Sequence, residues 1–200
     1  MPHFFKAICV CATLAVATPA AIYAQTTDTT GANKIEDQLS FGEDAREAAA
    51  PGQPYTSEVN GAWEVRCIKS EEEGDPCQMY QLLDDGQGAP VAEVSLFRLP
   101  EGGQAEAGAS VIVPLETALP QQLTLTVDGG SPKRYPFAFC NSVGCYVRLG
   151  LTPEDVDAFK RGNEAVITIV PALALDQQVT IAISLSGFTA SYGKVSVLNP

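Results

Sequence analysis

Four cysteines and two runs of acids are the residues of this chain whose types and spacing could carry chemistry. Cys140 and Cys145 have four residues between them in FCNSVGCYVRL, and Cys67 and Cys77 bracket the acidic stretch IKSEEEGDP. Zinc is bound by short knuckle-like spacings, which only the second pair approaches, since nine residues separate Cys67 from Cys77. Dithiol redox chemistry favours C-x-x-C, with one thiol at a helix N-terminus, and neither pair has that form. The acids are Glu71, Glu72, Glu73 and Asp75, then Asp84 and Asp85. Paired carboxylates can hydrolyse a glycosidic bond without histidine, so a carboxylate-based glycan hydrolase is the catalytic alternative. LDDGQG and VDGG suggest calcium turns, but neither fits an EF-hand loop. All these acids sit in turn-like segments beside glycine and proline, where a solvated turn is the ordinary outcome.

What the cysteines do depends on the compartment. The chain opens with MPHFFK, continues with the apolar run Ala7 to Ala17, and reaches a small residue at Ala24. Basic start, apolar centre and small-residue cut are the grammar of a secretory signal peptide over residues 1–24. Pro19 ends the run short of the roughly twenty apolar residues of a membrane-spanning helix. Cleavage removes His3, the chain's one histidine, and with it every histidine-based nucleophile, base or metal ligand. It also removes Lys6 and Cys9 and Cys11, taking the net charge from −12 to −13 and leaving four cysteines. An acidic surface excludes nucleic acid as a ready partner. In an exported protein four cysteines are first a disulfide framework. Three connectivities exist, and the local one is favoured because Cys67 with Cys77, and Cys140 with Cys145, each bracket a turn.

The elements that must position these residues read as strands. Residues 25–61 are rich in Thr, Ala, Gly, Pro and acids, and are expected to form a flexible acidic leader with a short helix near Glu43 to Ala49. From residue 62 to 200 a single domain is expected. WEVRC places Trp63, Val65 and Cys67 on one side, the period of a half-buried strand. EEEGDP turns the chain, Cys77 to Leu83 returns, and Val91 to Leu99 follows the turn DDGQGAP. After the loop EGGQAEAGAS come VIVPLE, QLTLTVDGG and Tyr135 to Phe139, with Gly144 expected to take positive φ ahead of Cys145. Thr152-Pro153-Glu154-Asp155 begins one helix that Gly162 stops. Ala165 to Val170 and Val179 to Leu185 form a hairpin, and SGFTASYGKVSVL is expected to be a last strand. About eight short strands and one short helix predict an all-β fold, a disulfide-stapled β-sandwich of immunoglobulin-like or jelly-roll-like form.

With those segments in view the chain resembles a known family. Trp63-x-x-x-Cys67, Cys77, VPLETALP, LTLTVDGG, FAFCNSVGC, FKRGNEAVITI and ISLSGFTASYGKV are similar, in order, to the invasion-associated locus B family of exported Gram-negative proteins. The resemblance runs from about Trp63 to Val195. It departs at Glu116, where glycine often follows the proline-leucine of VPL, and near Gln121 and Gln122, where a glycine is expected. It implies an all-β, non-catalytic envelope protein, in some relatives linked to host-cell invasion.

The expected function is therefore a binding or interaction module with no catalytic residues, no cofactor and no metal. It would act in the periplasm, outside the cell or at the outer membrane, on an envelope or host-surface protein. Trp63, Phe137, Phe139 and Phe188 are expected to be core residues or cross-strand pairs, with Gly187-Phe188 the place where an exposed aromatic could anchor a partner.

Overall fold

The structure is a computed structural model that describes Leu39, Ser40, Gly42, Asp44 and residues 49–198. The expected signal peptide lies outside the described residues, as does nearly all of the helix expected near Glu43. The chain divides into two compact units, Met1–Gly42 and Glu43–Pro200, and every element below belongs to the second.

Five strands run as an antiparallel meander: β1 (Pro54–Asn60), β2 (Trp63–Ile68), β3 (Cys77–Asp84), β4 (Pro90–Arg98) and β5 (Ala107–Val113). The chain then crosses to a second layer for β6 (Leu123–Val127) and β7 (Lys133–Tyr135). It turns at Pro136 back to the first for β8 (Phe137–Cys140) and β9 (Cys145–Leu151). After helix α1 (Pro153–Arg161) it completes the second layer with β10 (Glu164–Ile169) and β11 (Val179–Ser184). The sheets have the orders β1-β2-β3-β4-β5-β9-β8 and β11-β10-β6-β7. The all-β sandwich is as expected, with eleven strands among the described residues.

Period-two alternation builds the core. Trp63 and Val65 on β2, Met79 and Leu83 on β3, Val94 and Leu96 on β4, Val111 on β5 and Val147 on β9 face inward. Leu123, Leu125, Ile167, Ile181 and Ile183 meet them from the smaller sheet. Each such side chain removed from water contributes about 1.5–3 kcal/mol before entropy is counted. β5 starts inside the segment expected to be a loop, because its small residues have a packing role. A Cβ on Gly108 would lie 2.6 Å from the Phe97 ring, so the ring covers the backbone there.

Three expectations are corrected. The leader does not extend to residue 61: residues 54–60 are β1, paired with β2 from Pro54↔Ile68 to Asn60↔Trp63. Few large side chains made the segment look unable to order, but an edge strand is held by ladder hydrogen bonds. Gly144 does not have positive φ. It is needed for space, since a Cβ there would lie 2.5 Å from the Val113 carbonyl oxygen. SGFTASYGKVSVL is not a strand: it forms a second short helix, α2 (Phe188–Tyr192), followed by a single parallel bridge, Arg98↔Val197. Gly187 at φ 84° sets the turn into α2, and a Cβ on it would overlap the Asn60 carbonyl. The β1–β2 hairpin tip thus rests on Ser186-Gly187, and Phe188 is driven in beside Trp63, ring centroids 5.6 Å apart.

Helix α1 starts as expected. Thr152 accepts from the Asp155 backbone N–H, and the Asp155 carboxylate accepts from the Thr152 N–H at 3.1 Å, a reciprocal capping box. Lys133 adds an ammonium 2.6 Å from the same carboxylate. Burial works to raise the Asp155 carboxyl, but Lys133 and the Thr152 bonds outweigh it, so the group ionises below the ordinary aspartate range. A lowered folded-state value means stability present at neutral pH and lost as pH falls through that value. Asp155→Asn should therefore cost about 1 kcal/mol at pH 7. Urea titrations at stepped pH should show variant and parent converging below the unfolded aspartate value of about 3.9.

The loop between β5 and β6 has no glycine near Gln121 or Gln122, where one was expected. Gln122 has φ 61° and ψ 166°, a region otherwise used almost only by glycine. Such a residue stores about 1–3 kcal/mol, against which a glycine adds about 0.5–1 kcal/mol of unfolded-state entropy. Gln122→Gly is expected to raise stability by about 1 kcal/mol on balance, read as a higher urea midpoint at unchanged slope.

Candidate functional site

Both cysteine pairs sit directly opposite one another across neighbouring strands and are disulfide-bonded. Cys67–Cys77 joins β2 to β3, and Cys140–Cys145 joins β8 to β9. Cys67 and Cys145 are buried. The first bridge also receives the chain's C-terminal segment: Cys77 N–H donates to Ser196 Oγ at 2.9 Å, and Ser196 N–H donates back to the Cys77 carbonyl at 3.0 Å. Leu198 N–H then bonds the Arg98 carbonyl, so β3, β4 and the segment 196–198 meet at the bridge. A cleft of about 580 Å³ lies beside it, walled by Ile68, Phe97, Val197 and Leu198.

The acids fall into two groups at opposite ends of β3. Asp75 fixes the β2–β3 turn: it accepts from the Tyr55 hydroxyl at 2.6 Å and the Ser70 N–H at 2.8 Å, and lies 3.4 Å from the Lys69 ammonium. Those partners, the tyrosine hydroxyl foremost, hold its carboxyl below the usual range. Glu71, Glu72 and Glu73 are exposed in the same turn. At the other end, Asp84 accepts from Gly86 N–H at 2.6 Å and Asp85 from Gln87 N–H at 2.8 Å. The eight residues of β3 separate the groups by roughly 25 Å. Glycosidase carboxylates stand about 5–10 Å apart, so no working pair can combine the two groups. Asp128 of VDGG accepts from the backbone N–H groups of Asn163 and Glu164 at 3.0–3.2 Å and so anchors the entry to β10. Among the described residues no three His, Cys, Asp or Glu side chains cluster as metal ligands.

Asp84 and Asp85 share a cleft of about 470 Å³ with Glu164, Thr180 and Ala182. Gln81 closes one end of it. Its side-chain amide donates to the Ser184 carbonyl and accepts from the Ser184 N–H, both at 2.9 Å, and Trp63 Nε1–H donates to the same carbonyl at 2.8 Å. Neither Gln81 nor Glu164 stood out in the sequence. The available signal was a polar residue in the inward phase of β3, between Met79 and Leu83.

The outer face of the larger sheet carries charge and rings together. The Arg66 guanidinium lies 3.3 Å over the Tyr80 ring and bonds Glu64 at 2.8 Å, while the Tyr80 hydroxyl donates to Glu93 at 2.8 Å. Burial, then the Glu93 carboxylate, push the Tyr80 phenol up against the opposing pull of the Arg66 guanidinium. Phe139 stacks on Tyr146 at 4.6 Å, the cross-strand pair expected of it. Phe188 is the core residue expected of it, 1% exposed and packed among Trp63, Phe159 and Tyr192, so Gly187-Phe188 presents no aromatic anchor at the surface.

Two antiparallel sheets, two cross-strand disulfides and a recessed polar cleft define a disulfide-stapled β-sandwich domain. The chain belongs to the invasion associated locus B (IalB) protein family, whose model matches residues 63–196. Among solved structures it is similar to invasion associated protein B from Bartonella henselae, at 20% identity and a TM-score of 0.58, covering 68% of this chain and 92% of that one. That likeness shows a shared fold. No curated protein matches the chain.

Proposed function

We propose that the protein is an exported, non-catalytic binding module of the cell envelope that acts through the surface of its β-sandwich on an envelope or host-surface protein. The observation that carries this reading is the use made of the chain's acids. Asp75, Asp84, Asp85 and Asp128, the residues best placed by type to do chemistry, each accept backbone N–H groups that shape turns or strand entries. Two disulfides fit an oxidising compartment, and among the described residues no helix is long and apolar enough to cross a membrane. The similar structure is named for invasion, which supports a role at the cell surface, in host contact or in envelope integrity. Crosslinked capture from envelope fractions should enrich a defined partner over background, and deletion should alter adhesion or envelope integrity. Absence of both would refute the reading.

One observation favours a glycan hydrolase as the second reading: Asp84, Asp85 and Glu164 line the same cleft. Purified protein that hydrolysed peptidoglycan, and lost that activity on Glu164→Gln, would reverse the order.

A further inference from the structure

Four edge strands border the two sheets, and three carry devices that keep an edge from pairing. β1 begins at Pro54 and has a register shift between Thr56 and Glu58. β8 follows Pro136, shifts register between Phe137 and Phe139, and ends in a disulfide. β7 has three residues, two of them basic, set between Pro132 and Pro136. β11 has none of these. VTIAIS is six residues long, uncharged and free of proline, and pairs with β10 in unbroken register from Val179↔Ile169 to Ser184↔Glu164.

The direction of its free backbone groups follows from the Gln81 amide. Ser184 turns both its N–H and its carbonyl away from β10 to meet Gln81. Hydrogen-bonded and non-hydrogen-bonded pairs alternate along an antiparallel ladder, so Ala182 and Thr180 turn theirs to the same open side. Among the described residues none bonds to them. Both line the 470 Å³ cleft, whose other wall is Leu82 to Gly86 and whose charge comes from Asp84, Asp85 and Glu164.

We propose that this edge takes up a short extended peptide segment bearing lysine or arginine, which adds as a fifth strand beside β11 with Gln81 as its stop. Strand addition supplies affinity through main-chain hydrogen bonds, here to the N–H and carbonyl of Thr180 and Ala182. The acids of the cleft select the basic segment by complementary charge. A volume of about 470 Å³ lies within the range of about 300–1,000 Å³ typical of pockets for small ligands, and suits a few residues of strand rather than a whole domain. A second copy of this chain is disfavoured as occupant, since pairing β11 with β11 would set Asp84, Asp85 and Glu164 of two acidic chains against each other. The inference rests on the binding-module reading and names the chemistry of the partner segment.

The test uses the disulfide-bonded, exported protein with four probe peptides, each acetylated and amidated: KTVTVK, ETVTVE, and two forms of KTVTVK N-methylated at alternate residues, one in each phase. KTVTVK should slow hydrogen exchange of the Thr180 and Ala182 amides by about tenfold or more, and ETVTVE should bind at least about tenfold more weakly. The N-methylated phase that blocks the inward amides should not bind. Glu164→Gln, an exposed change outside the core, should weaken KTVTVK, and Ala182→Pro should abolish its binding. No protection of the two amides at millimolar KTVTVK, or equal binding by both N-methylated phases, overturns the proposal whether or not Ala182→Pro folds. A partner crosslinked from envelope fractions whose capture survives excess KTVTVK also overturns it, while leaving the binding-module reading intact. Amide protection with no captured partner supports the edge and counts against an envelope partner.

Discussion

Trp63→Ala is expected to lower the unfolding free energy by about 3–5 kcal/mol, the range for deleting a buried aromatic. Trp63 is fully buried and stands edge-on to Phe188, with ring planes at 79°. Phe188 in turn stacks on Tyr192 and tilts against Phe159 of α1. The vacated space therefore opens at the junction of β2, α1 and α2, where the neighbours are large rings with few ways to collapse. The hydrogen bond to Ser184 is a minor part of the loss, because that carbonyl keeps the Gln81 amide as a donor. Trp63→Phe separates the two contributions. It retains most of the packing and should cost only about 1–2 kcal/mol. The chain's one tryptophan is removed in both variants, so urea unfolding is followed by circular dichroism. Equal losses would mean that the Ser184 bond, rather than the packing, makes Trp63 important.

The same residues show what a sequence can and cannot reveal about this fold. Strands announced themselves wherever one face was apolar: Leu123 with Leu125, or Ile181 with Ile183, alternate with polar neighbours and both pairs point inward. β1 was hidden because its stability lies in backbone pairing with β2 rather than in large side chains. α2 was hidden because five residues hold barely more than one helical period. Its one local signal is the spacing of Phe188 and Tyr192, four apart and both buried. Neighbours joined by a short turn were legible, as in the β10–β11 hairpin, but the order of the full sheets was not, since periodicity tells which face is buried but not which distant strand lies alongside. The cleft shares that limit. Asp84 and Glu164 are brought together only because β3 and β10 belong to facing layers, and Gln81 acquires its role only when Ser184 arrives from a hundred residues away.

Removing the two disulfides one at a time should give unequal losses, with the Cys67–Cys77 bridge the costlier. The bridged residues are 10 apart in one case and 5 in the other. Loop entropy then assigns about 2.7 and about 2.1 kcal/mol, in a model whose enthalpic part is additional. Two features widen the gap. Each bridge has one buried end, Cys67 or Cys145, but Cys77 is half-buried where Cys140 is exposed, so paired alanines leave the larger void at the first bridge. Cys77 also holds the C-terminal segment through Ser196, which links the bridge to Arg98 and Leu198. The Cys67→Ala/Cys77→Ala double variant is thus expected to lose about 3–4 kcal/mol and to speed amide exchange at Ser196 and Leu198. Cys140→Ala/Cys145→Ala should lose about 2 kcal/mol and leave those two amides protected, since its bridge pins only β8 to the edge of the sheet. Equal losses, or faster exchange at Ser196 in the second variant, would mean that the C-terminal segment is held by its own contacts rather than through the first bridge.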